Sequence, residues 1–325
     1  MEIKVRRVDW EFARPFRIAY RVRTHAQTIQ VELHNEGIVG RGEALGVSYH
    51  RETVDTLIDQ LAQIEPKVVE GITREDLRAL LPPGGARNAV DCALWDLEAK
   101  KKERRVWELA GLPTVRALTT AYTLGVDTPE VIAQLAASAA KNSLFKIKLT
   151  GSDDLERVVA VRETRPDADL IVDANQSWSE QQLHELTPRF AELGVKLIEQ
   201  PLPIGQDSPL RHFRSPVPLC ADESCQTTES LPSLAGQYEY IAIKLDKTGG
   251  LTEALDLARA AKEQGFKVMI GCMGGSSLSM APAFVVGQLC DFVDLDGPLL
   301  AKADVPHAIH YQGSQMFPPE KLLWG

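Results

Sequence analysis

The chain has 325 residues, 44% of them apolar and 25% charged, with a formal net charge of −9. That length holds one large α/β domain plus a smaller one. The acidic balance argues against non-specific nucleic-acid binding as the main task, and no apolar run approaches the length of a membrane span. Five cysteines (Cys92, Cys220, Cys225, Cys272 and Cys290) are odd in number and lack metal-like spacing. They predict reduced thiols packed in the interior of a cytoplasmic protein. The opening residues lack the basic-then-apolar form of a secretory signal.

Residues 2–9 alternate and read as a strand. A second alternating run, Thr28 to Leu33, meets a return at Ile38 to Glu43 through the turn Asn35-Glu36-Gly37, which predicts a β-hairpin. The segment between them, with Arg17, Arg21, Arg23 and His25, reads as a basic loop. Helical patterns follow from Glu52, from the capping signal Thr73-Arg74-Glu75-Asp76, and from Arg87, where Val90, Ala93, Leu94 and Leu97 repeat at helical spacing. Gly111 and Pro113 end that region. Residues 1–115 therefore read as a small α+β domain.

A rhythm then begins. Apolar strands ending near Thr123, Lys148, Asp173, Glu199, Asp222, Lys244, Gly271 and Asp294 recur at intervals of 22 to 27 residues. Helical patterns over 128–141, 154–164, 179–193, 226–235, 252–264 and 275–289 fall between them. One strand and one helix per repeat is a βαβ unit, and eight strands close a barrel. The fold class is α/β: a (β/α)8-type barrel over residues 116–300 behind an N-terminal α+β capping domain. A tail, 301–325, returns toward the cap. An open doubly wound sheet is the alternative, but it would spread the polar strand ends apart, whereas a barrel gathers them at one mouth.

Lys146 and Lys148 are two apart on a strand, so they share a face. Two like charges there lower each other's pKa, which makes Lys148 a candidate general base. Asp173, Glu199 and Asp222 end three successive strands. One such acid is most simply a helix cap, but three in a row predict a site for a hard divalent cation, and Mg²⁺ suits oxygen ligands best. Asn175 and Glu223, beside two of these acids, read as supporting residues. Lys244 falls one strand past the acids and Lys148 one strand before, which places an amine on each side of the metal. That arrangement predicts removal of an α-proton from one face and return to the other, through an enediolate that the metal stabilises. Lys247 and Asp246 lie past the strand end and read as loop residues. His50 is a candidate substrate contact. Gly274-Gly275-Ser276-Ser277 is either a ligand-approach segment or a helix start.

Lys-Ile-Lys (146–148), Asp-Ala-Asn (173–175), Glu-Gln-Pro (199–201), Ala-Asp-Glu-Ser (221–224) and Ile-Lys-Leu-Asp-Lys-Thr-Gly-Gly (243–250) occur in order. Together they resemble the enolase superfamily, in its muconate-cycloisomerase-like subgroup, over nearly the whole chain. The superfamily's lysine-and-Mg²⁺ chemistry is implied by that resemblance. No histidine stands in Ile270-Gly271-Cys272-Met273-Gly274, so the subgroup with a histidine base on the seventh strand is disfavoured. Asp294-Leu295-Asp296 resembles the pair that holds a free α-ammonium group in dipeptide epimerases. The resemblance implies epimerisation at the C-terminal residue of a dipeptide such as L-Ala-D/L-Glu. It adds Arg23 for the γ-carboxylate, and it places Lys146, Thr123 and Met273 among the substrate-contacting residues. A small-molecule dipeptide is then the expected partner, with neither nucleic acid nor membrane involved, and a homo-oligomer is compatible. Two other readings stand beside this one. An N-acylamino acid racemase, o-succinylbenzoate synthase or cycloisomerase would use the same lysines and metal. A Schiff-base aldolase would use Lys244 as nucleophile.

Overall fold

The structure is a computed structural model that describes residues 1–325. The chain opens with a three-stranded antiparallel meander, β1 (Glu2–Ile18), β2 (Arg21–Asn35) and β3 (Ile38–Leu45), in spatial order β1-β2-β3. The β2–β3 turn is a two-residue one. Its central residues, Glu36 and Gly37, have φ of +54° and +79°, the left-handed pair that matches hairpin twist.

Three helices pack on this sheet: α1 (Val54–Glu70), α2 (Arg74–Leu80) and α3 (Gly85–Lys101). Thr53 and Thr56 box the start of α1, and Thr73 and Asp76 box that of α2, which meets the capping expectation there. α3 is buried almost all round. It lies so close to β3 that a Cβ on Gly42 would come within 2.1 Å of the Ala89 carbonyl oxygen, and one on Gly40 within 2.2 Å of that of Ala93. A short α4 (Val106–Leu109) leads out of the cap.

Next come β4 (Leu118–Thr119) and eight parallel strands: β5 (Tyr122–Leu124), β6 (Leu144–Lys148), β7 (Asp169–Asp173), β8 (Val195–Glu199), β9 (Leu219–Ala221), β10 (Tyr240–Ile243), β11 (Lys267–Ile270) and β12 (Phe292–Val293). They pair in sequence order, and a parallel bridge from Thr120 to Val293 closes the ring. The last strands, β13 (Tyr311–Gln312) and β14 (Gln315–Met316), form a small sheet with β4. The expected barrel and cap are both present. The repeat after β9 is weaker than expected, since residues 226–235 form only the 3₁₀ turn Thr228–Ser230 and the helical turn Leu231–Leu234.

Side-chain alternation explains where the polar residues point. Ala121, Leu144, Ile171, Leu197, Cys220, Ala242 and Met269 form an apolar plug inside the ring, with Phe292 against it. Two residues further along each strand, on the same face, stand Thr123, Lys146, Asp173, Glu199, Asp222, Lys244, Gly271 and Asp294. The plug seals the barrel from below, and the next layer up is the reactive one.

The basic segment expected as a loop is strand instead. β1 and β2 continue far past the first alternating run, and Phe16, Arg17 and Ile18 pair with Arg23, Val22 and Arg21. A register shift between Glu11 and Phe16 bends the ribbon. Its end is tied to the barrel, because the Val126 amide donates to the Arg17 carbonyl at 2.9 Å. The C-terminal tail lies against the cap. The Trp324 indole N–H reaches the carbonyls of Arg41 at 3.0 Å and Cys92 at 3.2 Å, and the Gly325 amide donates to Asp96 Oδ1 at 2.7 Å.

Candidate active site

The mouth of the barrel and the bent hairpin form a cavity. The barrel contributes Thr123, Lys148, Asn175, Asp222, Glu223, Lys244, Cys272, Met273, Asp294 and Asp296 to its lining, and the hairpin contributes Phe16, Tyr20, Arg21 and Arg23. Ser48 and Tyr49 close the cap side. His50, considered as a contact from sequence, is exposed and does not line the cavity, whereas its neighbour Tyr49 does. Tyr20, Tyr49 and Phe16 carry no chemical motif, and sequence reasoning missed them.

Lys148 Nζ is 2.5 Å from Asp173 Oδ2, and Lys244 Nζ is 2.6 Å from Asp222 Oδ2. Their strands, β6 and β10, are four places apart in a ring of eight. The two amines therefore rise from opposite walls. Lys146 sits deeper. It is 1% exposed, does not line the cavity, and lies 2.7 Å from Asp294 Oδ2, 2.5 Å from Glu199 Oε2 and 3.3 Å from Asp173 Oδ2.

Burial works to lower the Lys146 and Lys244 pKa values, yet the net direction for both is up. Asp294, Glu199 and Asp173 outweigh burial at Lys146, and Asp222 and Glu199 do so at Lys244. At Lys146 the depression expected from a neighbouring ammonium is not found, because three carboxylates surround its Nζ.

Lys247 corrects a second expectation. It is fully buried rather than a loop residue. Its ammonium donates to Asp222 Oδ1 at 2.7 Å, to the Cys225 carbonyl at 2.8 Å, to the Ala242 carbonyl at 3.0 Å and to the Asp222 carbonyl. Burial alone would raise Asp222, but Lys244 and Lys247 hold it well below the usual carboxylate range. Asp246 is buried as well. It accepts from Asn88 of α3 at 2.9 Å and from the Leu45 amide at 3.0 Å, which joins barrel to cap. Gly274-Gly275-Ser276-Ser277 is the helix start that was one of its two expected roles. Gly274 lines the cavity, and Ser276 caps the helix Ser277–Gly287 while binding Glu43 of the cap.

Arg23 Nη1 donates to the Met273 carbonyl at 3.3 Å across the mouth. Thr123 gives its amide to Asp296 Oδ2 at 2.6 Å and its hydroxyl to Asp294 Oδ1 at 3.3 Å. Asn175 Nδ2 reaches Glu223 Oε1 at 3.4 Å.

No three acidic, histidine or cysteine side chains stand close enough for a ready-made cation cage, because ammonium groups hold the carboxylates. The donor set nevertheless fits a hard cation. Asp173, Glu199 and Asp222 are all buried on adjacent strands. Glu199 stands between the other two with neither oxygen hydrogen-bonded, since Lys146 is near Oε2 but badly angled. Burial and the charge on Asp173 push Glu199 up, and Lys146 and Lys244 offset this only in part. Burial beside Asp222 and Asp173 also pushes Glu223 up, so the site holds more carboxylate than its ammoniums compensate, and a divalent cation would relieve that excess.

Comparison with known proteins gives the ancestry of this site. Residues 1–111 match the mandelate racemase / muconate lactonizing enzyme N-terminal domain, and residues 130–319 match the enolase C-terminal domain-like family. The chain belongs to this family. It is 42% identical over 316 residues to an L-Ala-D/L-Glu epimerase of Escherichia coli, which covers 97% of this chain and 98% of that protein. It is 41% identical to an N-acetyl-D-glutamate racemase of a Pseudoalteromonas species, over 91% of this chain and 95% of that one. A crystal structure of an enolase family member from Agrobacterium tumefaciens, described as having homology to dipeptide epimerases and holding sodium and L-Ala-L-Glu, superposes with a TM-score of 0.97. It is 41% identical, with 99% of each chain covered.

Proposed function

We propose that this protein is a magnesium-dependent epimerase of dipeptides, acting on L-Ala-D/L-Glu or a close analogue at the α-carbon of the C-terminal residue. The observation that carries the reading is the pair of lysines on opposite walls of one cavity, with the acids of β7, β8 and the β9 end between them.

Asp173, Glu199 and Asp222 would hold the metal. When bound, magnesium supplies positive charge against the substrate's α-carboxylate, which lowers the cost of removing the α-proton. Lys148 and Lys244 then work on opposite faces of that carbon. The amine on one face takes the proton, and the ammonium on the other returns one, so the configuration inverts. Asp294 and Asp296 receive the free ammonium group of the first residue. Burial and the neighbouring Asp294 push Asp296 up, and an ammonium ligand would reverse that. Arg23 receives the side-chain carboxylate of Glu. Lys146 keeps Asp173, Glu199 and Asp294 in place from beneath. The hairpin and Tyr49 shield the reacting atoms from water.

The relative that racemises N-acetyl-D-glutamate supports a second reading, an acylated amino acid as substrate. Asp294 and Asp296 weigh against it, because an amide nitrogen cannot compensate two buried carboxylates as an ammonium does. The deciding experiment follows α-proton exchange with solvent deuterium by NMR, with Mg²⁺, on L-Ala-L-Glu and on N-acetyl-L-Glu. Exchange on the dipeptide at far higher kcat/KM is expected. The reverse order overturns the proposal in favour of the racemase.

A further inference from the structure

A second cavity lies beside the active site and is unused by the chemistry above. Tyr122, Leu124 and Val131, from β5 and the helix that follows it, give it one apolar wall, while Arg14, Arg17 and Asp127 line its other side. Phe16, Thr123 and Leu300 line both this chamber and the active-site cavity. These three side chains are therefore the partition between the two spaces.

The partition is fixed from several sides. Phe16 meets the Phe12 ring edge-on, with centroids 6.3 Å apart. Leu300, Phe16, Trp10 and Met273 pack against a small apolar cluster of Phe12, Ala26 and Leu45. Thr123 is held by Asp294 and Asp296.

In a dipeptide, the free ammonium group and the side chain of the first residue share one carbon. With the ammonium on Asp294 and Asp296, that side chain lies next to Thr123 and faces the partition. A longer aliphatic chain needs more room there than a methyl group. We infer that Phe16, Thr123 and Leu300 set the size of the N-terminal residue, and that the chamber is a preformed apolar subsite reached when Leu300 is trimmed. This rests on the dipeptide reading of the site. Trimming Leu300 leaves no sealed void, since it already borders open space on both sides.

The test compares kcat/KM for L-Leu-L-Glu and L-Ala-L-Glu in the Mg²⁺-loaded wild type, in Leu300→Ala, and in Leu300→Ala combined with Val131→Trp. Val131 touches only the chamber. Leu300→Ala is expected to raise the Leu/Ala ratio at least tenfold, and Val131→Trp to return it to the wild-type value by filling the space behind. A ratio that stays put while L-Ala-L-Glu is still turned over overturns the inference, and so does a gain that Val131→Trp leaves untouched. If Leu300→Ala does not fold, Leu300→Val must move the ratio in the same direction by a smaller factor. A wild type inert toward L-Ala-L-Glu with Mg²⁺ present defeats the dipeptide reading itself, a result distinct from an unmoved ratio.

Discussion

Lys247 Nζ stands 2.7 Å from Asp222 Oδ1, and Lys244 Nζ stands 2.6 Å from Oδ2 of the same carboxylate. One acid is gripped by two ammoniums from one strand-and-turn unit. Only Lys244 reaches the cavity. Lys247 clips the turn after β9 to β10 and so fixes where Asp222 and Glu223 point. Lys247→Met removes one partner of a fully buried pair, a loss of roughly 3–5 kcal/mol. Thermal and urea melts should show a large fall in midpoint. An unchanged midpoint would mean that the pair is not formed.

Lys148→Ala and Lys244→Ala should each abolish epimerisation, with a loss on the order of 10²–10⁴ or greater for a missing acid or base. Circular dichroism establishes that each variant is folded, and NMR follows both epimers. One single variant with full activity is enough to refute the two-base scheme.

Chelation should stop α-proton exchange, and added Mg²⁺ should restore it. Asp173→Asn, Glu199→Gln and Asp222→Asn should each weaken Mn²⁺ binding measured from the free-ion EPR signal. Exchange that survives exhaustive chelation is incompatible with the proposed chemistry.

Arg23→Met should lower kcat/KM for L-Ala-L-Glu by roughly 10- to 150-fold, the value of about 1.5–3 kcal/mol for a hydrogen bond to a charged group. L-Ala-L-Val, without a side-chain carboxylate, should lose little. Equal losses on both substrates would assign Arg23 to holding the hairpin through Met273 rather than to recognition.

The interface between cap and barrel predicts a pH effect on stability. Burial, with a smaller push from Glu52 and Glu43, raises Asp246 to about 7, and the hydrogen bonds from Asn88 and the Leu45 amide offset this only in part. The folded state then holds a proton that the unfolded state releases between about pH 4 and 7. Stability from this group is therefore fully present below the unfolded pKa and declines as pH rises to about 7, by up to about 1.4 kcal/mol per pH unit. Asp246→Asn should flatten that part of the profile relative to wild type. Parallel melts from pH 4 to 8 measure it, and identical slopes would show that Asp246 ionises freely.

The barrel was legible because its signals are local. An apolar residue two places before a polar one, repeated at each strand end, already says that both share the inward face. Cys220 and Asp222, or Ala242 and Lys244, show this without reference to any other strand. The hairpin was legible only in its first half. The alternation of β1 runs on through Trp10 and Phe12 but breaks at Ala13-Arg14-Pro15, where the register shifts and the ribbon bends over the barrel mouth. Arg17, Arg21 and Arg23 consequently looked like a loop.

Chain order alone specified the eight repeats, the acids at successive strand ends and an amine on either side of them, because strand period and helix period are properties of neighbouring residues. Ring closure at Thr120 and Val293 decided that β6 and β10 face each other. The burial of Lys247, the partner of each ammonium and the partition at Leu300 were likewise decided by packing. They depend on distances between residues far apart in sequence, and no local pattern encodes those.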